Sequence, residues 1–273
     1  MGVMDEALAV ARDWEAPAVA LAAVGPGGLL ATTGDGEREH DWASLTKLVT
    51  ALATLRAAEH GILALDEPAG PPGATVRHLL AHASGLGFEG SAPLSPPART
   101  RVYSNSGYDL LGALLADRFG RPIDAVLEEC VLAPLGMTRT TLTGRPSAGL
   151  RGPLADLVRL ADELLRPTLL APATMAEATT VAFAGLAGVL PGVGRLDPLD
   201  WGLGFELRDA KTPHWTGTRN SSRTFGHFGG SGAFLWVDPE ADLALACLTD
   251  RPFGPWALDA WPVLSDAVLD ARG

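Results

Sequence analysis

The sequence predicts an α+β fold: an antiparallel sheet flanked by helices and built from both ends of the chain, with an all-helical domain inserted between its halves. Three observations carry this. Strand-like apolar runs occur at residues 17–33 and again beyond residue 205. The segment between them is a succession of short helical patterns broken by Pro- and Gly-rich turns. Helical patterns also occupy the two ends. The expected division is residues 1–62 and 205–273 for the two parts of the α/β domain, with 63–204 mostly helical.

Taken in order, residues 5–14 read as a short helix. Pro17 to Val24 and Leu29 to Thr33 read as a hairpin across the turn Gly25-Pro26-Gly27-Gly28, which also breaks an uncharged stretch that would otherwise suggest a membrane span. From Ser44 to Glu59, Leu45, Leu48, Val49, Leu52 and Leu55 recur at helical spacing until Gly61 ends the run, so one face of this helix should be deeply buried. After the helical middle, Trp201 to Leu207, Ser222 to His227, Ala233 to Val237 and Leu243 to Thr249 read as strands, with Asp238-Pro239 turning between the last two. Trp256 to Ala271 reads as a closing helix.

Composition narrows the function classes. The chain has 273 residues, 47% of them hydrophobic, and 32 acidic against 21 basic residues give a net charge of −11. That excludes disorder and disfavours nucleic acid, which needs a basic face. Two cysteines in unlike contexts, Cys130 and Cys247, exclude a disulfide framework, and Cys247 sits in an apolar run as a small buried hydrophobe. The acidic start, with Asp5, Glu6, Asp13 and Glu15, lacks the basic and then apolar pattern of an export signal, so a cytoplasmic location is expected.

Several common chemistries are absent. No serine lies in Gly-x-Ser-x-Gly. The string Gly85, Gly87, Gly90 matches a dinucleotide fingerprint but follows a helix rather than a strand. His78 and His82 have the i, i+4 spacing of a zinc pair without the accompanying glutamate or a third ligand.

The informative string is Ser44-Leu45-Thr46-Lys47, because the chain has only two lysines, Lys47 and Lys211. The second is Tyr103-Ser104-Asn105, in a chain with two tyrosines and two asparagines. Residues i and i+3 share a helix face, so the Lys47 amine reaches the Ser44 hydroxyl. Serine becomes a nucleophile when a base takes its proton, and an ordinary lysine, with a pKa of about 10.4, is protonated at neutral pH. Burial and the positive end of the helix both favour the neutral amine. Tyr103 could act as base or proton relay, and Asn105 could hold substrate or orient Lys47. The plainer account makes Ser44 a helix cap and Lys47 a solvated first-turn residue, although a cation there opposes the helix dipole.

With these motifs the sequence resembles the serine β-lactamase and penicillin-binding-protein superfamily, and within it the class C β-lactamases with their related small esterases and D-peptidases. Leu79 to Leu86, Pro134-Leu135-Gly136-Met137, Trp201 to Gly204 and Gly226 to Gly230 add to the similarity, whose motif order runs from residue 17 to about 251. The resemblance implies Ser44 as acylated nucleophile, Lys47 and Tyr103 as proton-transfer groups, and the Ser44 and Gly230 backbone N–H groups as an oxyanion hole. It places Asn105, His227, Gly229 and Gly230 at the substrate, assigns His82 and Ser84 to structure, and implies no metal or organic cofactor.

Where penicillin-recognising members often carry Lys-Thr-Gly, this chain has His227-Phe228-Gly229. A permanent cation and a hydroxyl that would grip a carboxylate are missing. Arg219 and Arg223 are candidates to replace the cation, against the plainer reading of exposed loop charges. The expectation is therefore a serine hydrolase acting on a small-molecule acyl substrate through an acyl-enzyme, of the esterase type. The alternatives are a true β-lactamase or D-Ala-D-Ala carboxypeptidase or D-aminopeptidase, and a non-catalytic scaffold on the same fold.

Overall fold

The computed structural model describes residues 2–273. The chain opens with helix α1 (Val3–Leu8), followed by the hairpin β1 (Val19–Gly25) and β2 (Gly28–Thr33) and the short strand β3 (Glu39–Asp41). A 3-10 turn at Ala43–Leu45 leads into α2 (Thr46–Glu59). The middle contains α3 (Val76–Leu80), β4 (Arg101–Val102), α4 (Asn105–Phe119), α5 (Ile123–Leu127), β5 (Thr141–Leu142) and β6 (Leu150–Pro153). It continues with α6 (Leu154–Leu165), α7 (Pro172–Ala178), β7 (Gly188–Leu190) and β8 (Gly194–Leu196). The chain closes with β9 (Glu206–Leu207), β10 (Phe225–Phe228), β11 (Phe234–Asp238), β12 (Leu243–Thr249) and α8 (Pro255–Arg272).

The main sheet has the order β2-β1-β12-β11-β10-β9, and its paired strands are antiparallel. The two ends of the chain meet at its centre, where Leu21 faces Cys247 and Val19 faces Thr249. Successive side chains leave a strand on opposite faces. Ala20, Ala22, Ala244 and Ala246 therefore join the core shared with α2 and α6, while Leu21, Ala23, Leu245 and Cys247 join the core under α1 and α8. Both faces are covered, which is why β1 and β12 read as continuous apolar runs instead of alternating ones. Cys130 and Cys247 are unpaired and buried. Among the described residues, no helix is long and apolar enough to cross a membrane.

Three features differ from the sequence reading. The middle segment, expected to be all-helical, also carries the short strands β4 to β8, arranged in two three-stranded sheets as β3-β6-β5 and β4-β7-β8. Pieces of two to four residues are too short to display a period of two. The expected strand from Trp201 to Leu207 is reduced to β9 and an isolated bridge between Trp201 and Glu206. Helix α2 is enclosed on every side from Thr46 to Leu55, not on one face. The small residues Thr50, Ala51, Ala53 and Thr54 let neighbouring segments approach its otherwise polar flank, and Gly204 lies so close that an added Cβ would stand 2.3 Å from the Ala51 Cβ.

Candidate active site

Ser44 lies in the 3-10 turn that feeds α2. Ala43, just before it, has φ +45°, a left-handed conformation that a non-glycine residue adopts only when its surroundings enforce it. Here the enforcement comes from Trp42, fully buried with its indole Nε1 donating to the Gly152 carbonyl at 3.1 Å, and from Thr46, whose hydroxyl donates to the Ala43 carbonyl at 2.7 Å and accepts from the Leu150 N–H at 2.9 Å. The helix N-cap is Leu45 and no side chain caps it, so the Ser44 hydroxyl is left free of structural work. Ser44 is partly exposed, open to a ligand.

Lys47, one turn on, is completely buried. Its Nζ stands 3.4 Å from Ser44 Oγ and donates to Asn105 Oδ1 at 2.6 Å and to the Ser147 carbonyl at 2.8 Å. The Tyr103 and Tyr108 rings lie 4.8 and 5.5 Å from it. Burial outweighs these neighbours and the Asp109 carboxylate, and lowers the Lys47 pKa from its ordinary 10.5 to about 7. The solvated first-turn lysine of the plainer account does not occur.

Tyr103 and Asn105 flank the start of α4. Ser104 is its N-cap, accepting from the Gly107 N–H at 3.0 Å while its hydroxyl donates to the Gly87 carbonyl at 2.7 Å. This fixes Asn105 as the first helical residue, facing Lys47, and leaves Tyr103 just before the extended N-cap Ser104. Desolvation raises the Tyr103 pKa well above its ordinary 10, so the phenol is neutral. His82 holds Tyr103 from behind. Its ring lies 4.4 Å from the Tyr103 ring and its Nδ1 accepts from the Ser104 N–H at 3.1 Å. Burial keeps it uncharged.

The far wall comes from β10 and the turn after it. His227 Nδ1 donates to the Phe228 carbonyl at 2.6 Å, since a carbonyl can only accept. Its Nε2 is then an acceptor, 3.4 Å from the Tyr103 hydroxyl. Desolvation, reinforced by the nearby Lys47, lowers the His227 pKa to about 3, so this position carries no cation at neutral pH. Gly229 must be glycine: a Cβ there would stand 2.6 Å from the Trp42 carbonyl oxygen and 3.1 Å from the Ser44 nitrogen. Its N–H is used by the Ala233 carbonyl at 2.8 Å, whereas, among the described residues, neither the Ser44 N–H nor the Gly230 N–H has a hydrogen-bond acceptor. Gly230 is exposed with open space around its Cα.

All seven sequence-predicted residues thus lie in one group. The arginines proposed as replacement cations do not join it: Arg219 pairs with Asp270 at 2.5 Å, and Arg223 lines a separate cavity with Met175, Leu207 and Phe225. His78 turns away as well, stacked on Phe183 at 4.2 Å with Nδ1 against the Thr75 hydroxyl. The second lysine, Lys211, is buried elsewhere against Glu206, whose carboxylate also meets His214 at 2.9 Å and the Trp215 indole N–H at 3.0 Å. Sequence reasoning missed the Ser147 carbonyl, because a backbone acceptor leaves no trace in residue type. It also missed Glu89 and Arg145, which meet only through two loops far apart in sequence. Beside Tyr103, a cavity of about 460 Å³ lined by Phe88, Leu94, Val102 and Val189 leaves room for an apolar group.

The fold and this group define a serine hydrolase. The chain belongs to the Beta-lactamase family, whose model matches residues 7–268. A solved β-lactamase from Mycobacterium bovis shares 52% identity with a TM-score of 0.96, covering 97% of this chain and 99% of that one. Esterase EstB of Burkholderia gladioli is 24% identical over 83% of this chain and 81% of its own length. The D-alanyl-D-alanine-carboxypeptidase/endopeptidase AmpH of Escherichia coli is 31% identical, but the match spans only 38% of this chain and 37% of that relative. EstCE1, described as a hydrolase with promiscuous acyltransferase activity, shares the fold at 19% identity and a TM-score of 0.79.

Proposed function

We propose that this chain hydrolyses uncharged carboxylic esters through an acyl-enzyme on Ser44. The observation that carries the reading is the surroundings of Lys47. A neutral amine has two N–H bonds and one lone pair. The carbonyl of Ser147 and the amide oxygen of Asn105 can only accept, so they take the two N–H groups, and the lone pair is left for the third neighbour, the Ser44 hydroxyl. Ser44 Oγ attacks the ester carbonyl carbon as its proton passes to Lys47 Nζ. The carbonyl oxygen becomes an oxyanion between the free N–H groups of Ser44 and Gly230. When the intermediate collapses, the C–O bond to the alcohol breaks and the departing oxygen takes a proton through the neutral Tyr103 hydroxyl, resupplied from Lys47. Water then attacks the acyl carbon, its proton returns by the same groups, and the carboxylic acid leaves.

The ester preference rests on the neutral His227 and on Arg219 and Arg223 lying elsewhere. At the His227 position no fixed cation repays the desolvation of a substrate carboxylate. Of the two arginines that line the cavity beside Tyr103, Arg101 is buried with its guanidinium donating to the Ala81 and Ala182 carbonyls, and Arg195 is exposed. A β-lactamase reading is favoured by one observation, the 52% identical Mycobacterium bovis structure described by that name. The two readings separate in kcat/KM for a short-chain p-nitrophenyl ester against a chromogenic cephalosporin. The ester should win by a wide margin, and Ser44→Ala should abolish both turnover and labelling by a fluorophosphonate. A clear cephalosporin preference would overturn the ester assignment. Intact protein that takes no label at all would remove the hydrolase reading of Ser44.

A further inference from the structure

Around Lys47 runs a second layer of charge that the mechanism above does not use. Asn105 donates through Nδ2 to Glu89 Oε1 at 2.9 Å. Arg145 grips both oxygens of the same carboxylate, with Nη1 to Oε1 at 3.0 Å and Nη2 to Oε2 at 2.8 Å, and its Nε donates to Asp109 Oδ2 at 2.7 Å. Asp109 lies on α4 four residues after Asn105, on the same face of the helix. The Arg145 main chain is involved too: its carbonyl accepts from the N–H groups of Ala148 and Gly149, closing the turn that presents the Ser147 carbonyl to Lys47, while the Pro146 carbonyl accepts from Thr50 on α2. One short turn therefore carries both an acceptor of the lysine amine and the cation facing it from outside.

Resting on the reading of Ser44 and Lys47 given above, we propose that Arg145 is a positioning residue of this site. By clamping Glu89 and Asp109 it holds Glu89 against the Asn105 amide, so that the amide oxygen faces Lys47, and its charge offsets one of the two carboxylates that favour the protonated lysine amine. A carboxylate beside Asn105 is useful for orientation, because it accepts only and so fixes which end of the amide points outward. Left uncompensated, the same carboxylate works against a neutral amine. Arg145 resolves the conflict. The other titratable groups facing Lys47 are uncharged: Tyr103 and Tyr108 as phenols, His82 and His227 as imidazoles, all held so by burial. Glu89, Asp109 and Arg145 are then the charges near the amine. An exposed ion pair contributes little to stability, which makes a role in orientation and field separable from one in folding.

The test uses two variants of one ion pair with opposite expected signs. The acid limb of the Ser44 acylation rate is measured from pH about 5 to 10 with an activated ester. Arg145→Gln leaves two unbalanced carboxylates and should move the limb to higher pH by about half a unit, the scale of one charge acting through high-dielectric surface. Glu89→Gln removes one of the two carboxylates and leaves Arg145 balanced by Asp109, keeps an acceptor for Asn105, and should move the limb to lower pH by a similar amount. Arg145→Lys restores the charge and should return the limb toward wild type. A merely structural pair would move both Gln variants the same way or neither, and that outcome overturns the proposal while Ser44 labelling of the wild type leaves the hydrolase reading standing. Wild-type protein without any acylation overturns both.

Discussion

Protonating Lys47 should switch the enzyme off, and the structure sets where. The amine has no exposed surface and two obligatory acceptors, and its pKa falls from 10.5 to about 7 because burial disfavours the ammonium. At pH 7 about half of the molecules then hold a free lone pair toward Ser44, where an ordinary lysine would offer about one in 3,000. The gain in competent enzyme is on the order of 10³-fold, reduced somewhat because a weaker base removes a proton less readily. Below about pH 7 the acylation rate should fall tenfold per unit. Above it the rate should stay level to about pH 10, because His227, at about 3, and His82 have already lost their protons while Tyr103 keeps its own. Stopped-flow release of p-nitrophenol in the first turnover measures this step directly. A rate independent of pH between about 5 and 8, or one still climbing at pH 9 toward the ordinary lysine value, refutes a buried neutral amine as the base.

The same burial has a cost in stability. Between about 7 and 10.5 an unfolded Lys47 binds a proton that the folded one lacks, so stability should rise with pH across that window. Wild type should gain on Lys47→Met by about 1.4 kcal/mol per pH unit there, and parallel denaturation curves at pH about 7.5 and 9.5 with no change in the difference would contradict it. Tyr103→Phe removes the relay to leaving group and water, so with a slow ester the mass of the acyl adduct on Ser44 should persist; an adduct that clears at the wild-type rate excludes Tyr103 from deacylation. Gly229→Ala drives a methyl against the Trp42 carbonyl at 2.6 Å, separating the Gly230 N–H from Ser44. A loss in kcat on the order of 10²-fold is expected with little change in KM, and unaltered kcat would mean the turn is not held in register with Ser44.

The sequence alone carried the parts of this protein that depend on local spacing. Ser44 and Lys47 share a face because three residues nearly complete a helical turn, and the Ser104 cap places Asn105 on α4 by the same local rule. The sheet strands β1, β11 and β12 were legible as apolar runs, and the change of texture near residue 205 marked the return to the sheet. Strands β4 to β8 were not legible, since two to four residues hold no period. Only the tertiary structure decided that α2 is enclosed on every side, that His227 turns Nδ1 to the Phe228 carbonyl and Nε2 to the Tyr103 hydroxyl, and that the Ser147 carbonyl and the Asn105 amide oxygen accept from Lys47 Nζ. Only the tertiary structure brought Arg145 to Glu89, 56 residues apart in the chain. Charge state and hydrogen-bond direction depend on what surrounds an atom in three dimensions, and residue order does not encode that surrounding locally.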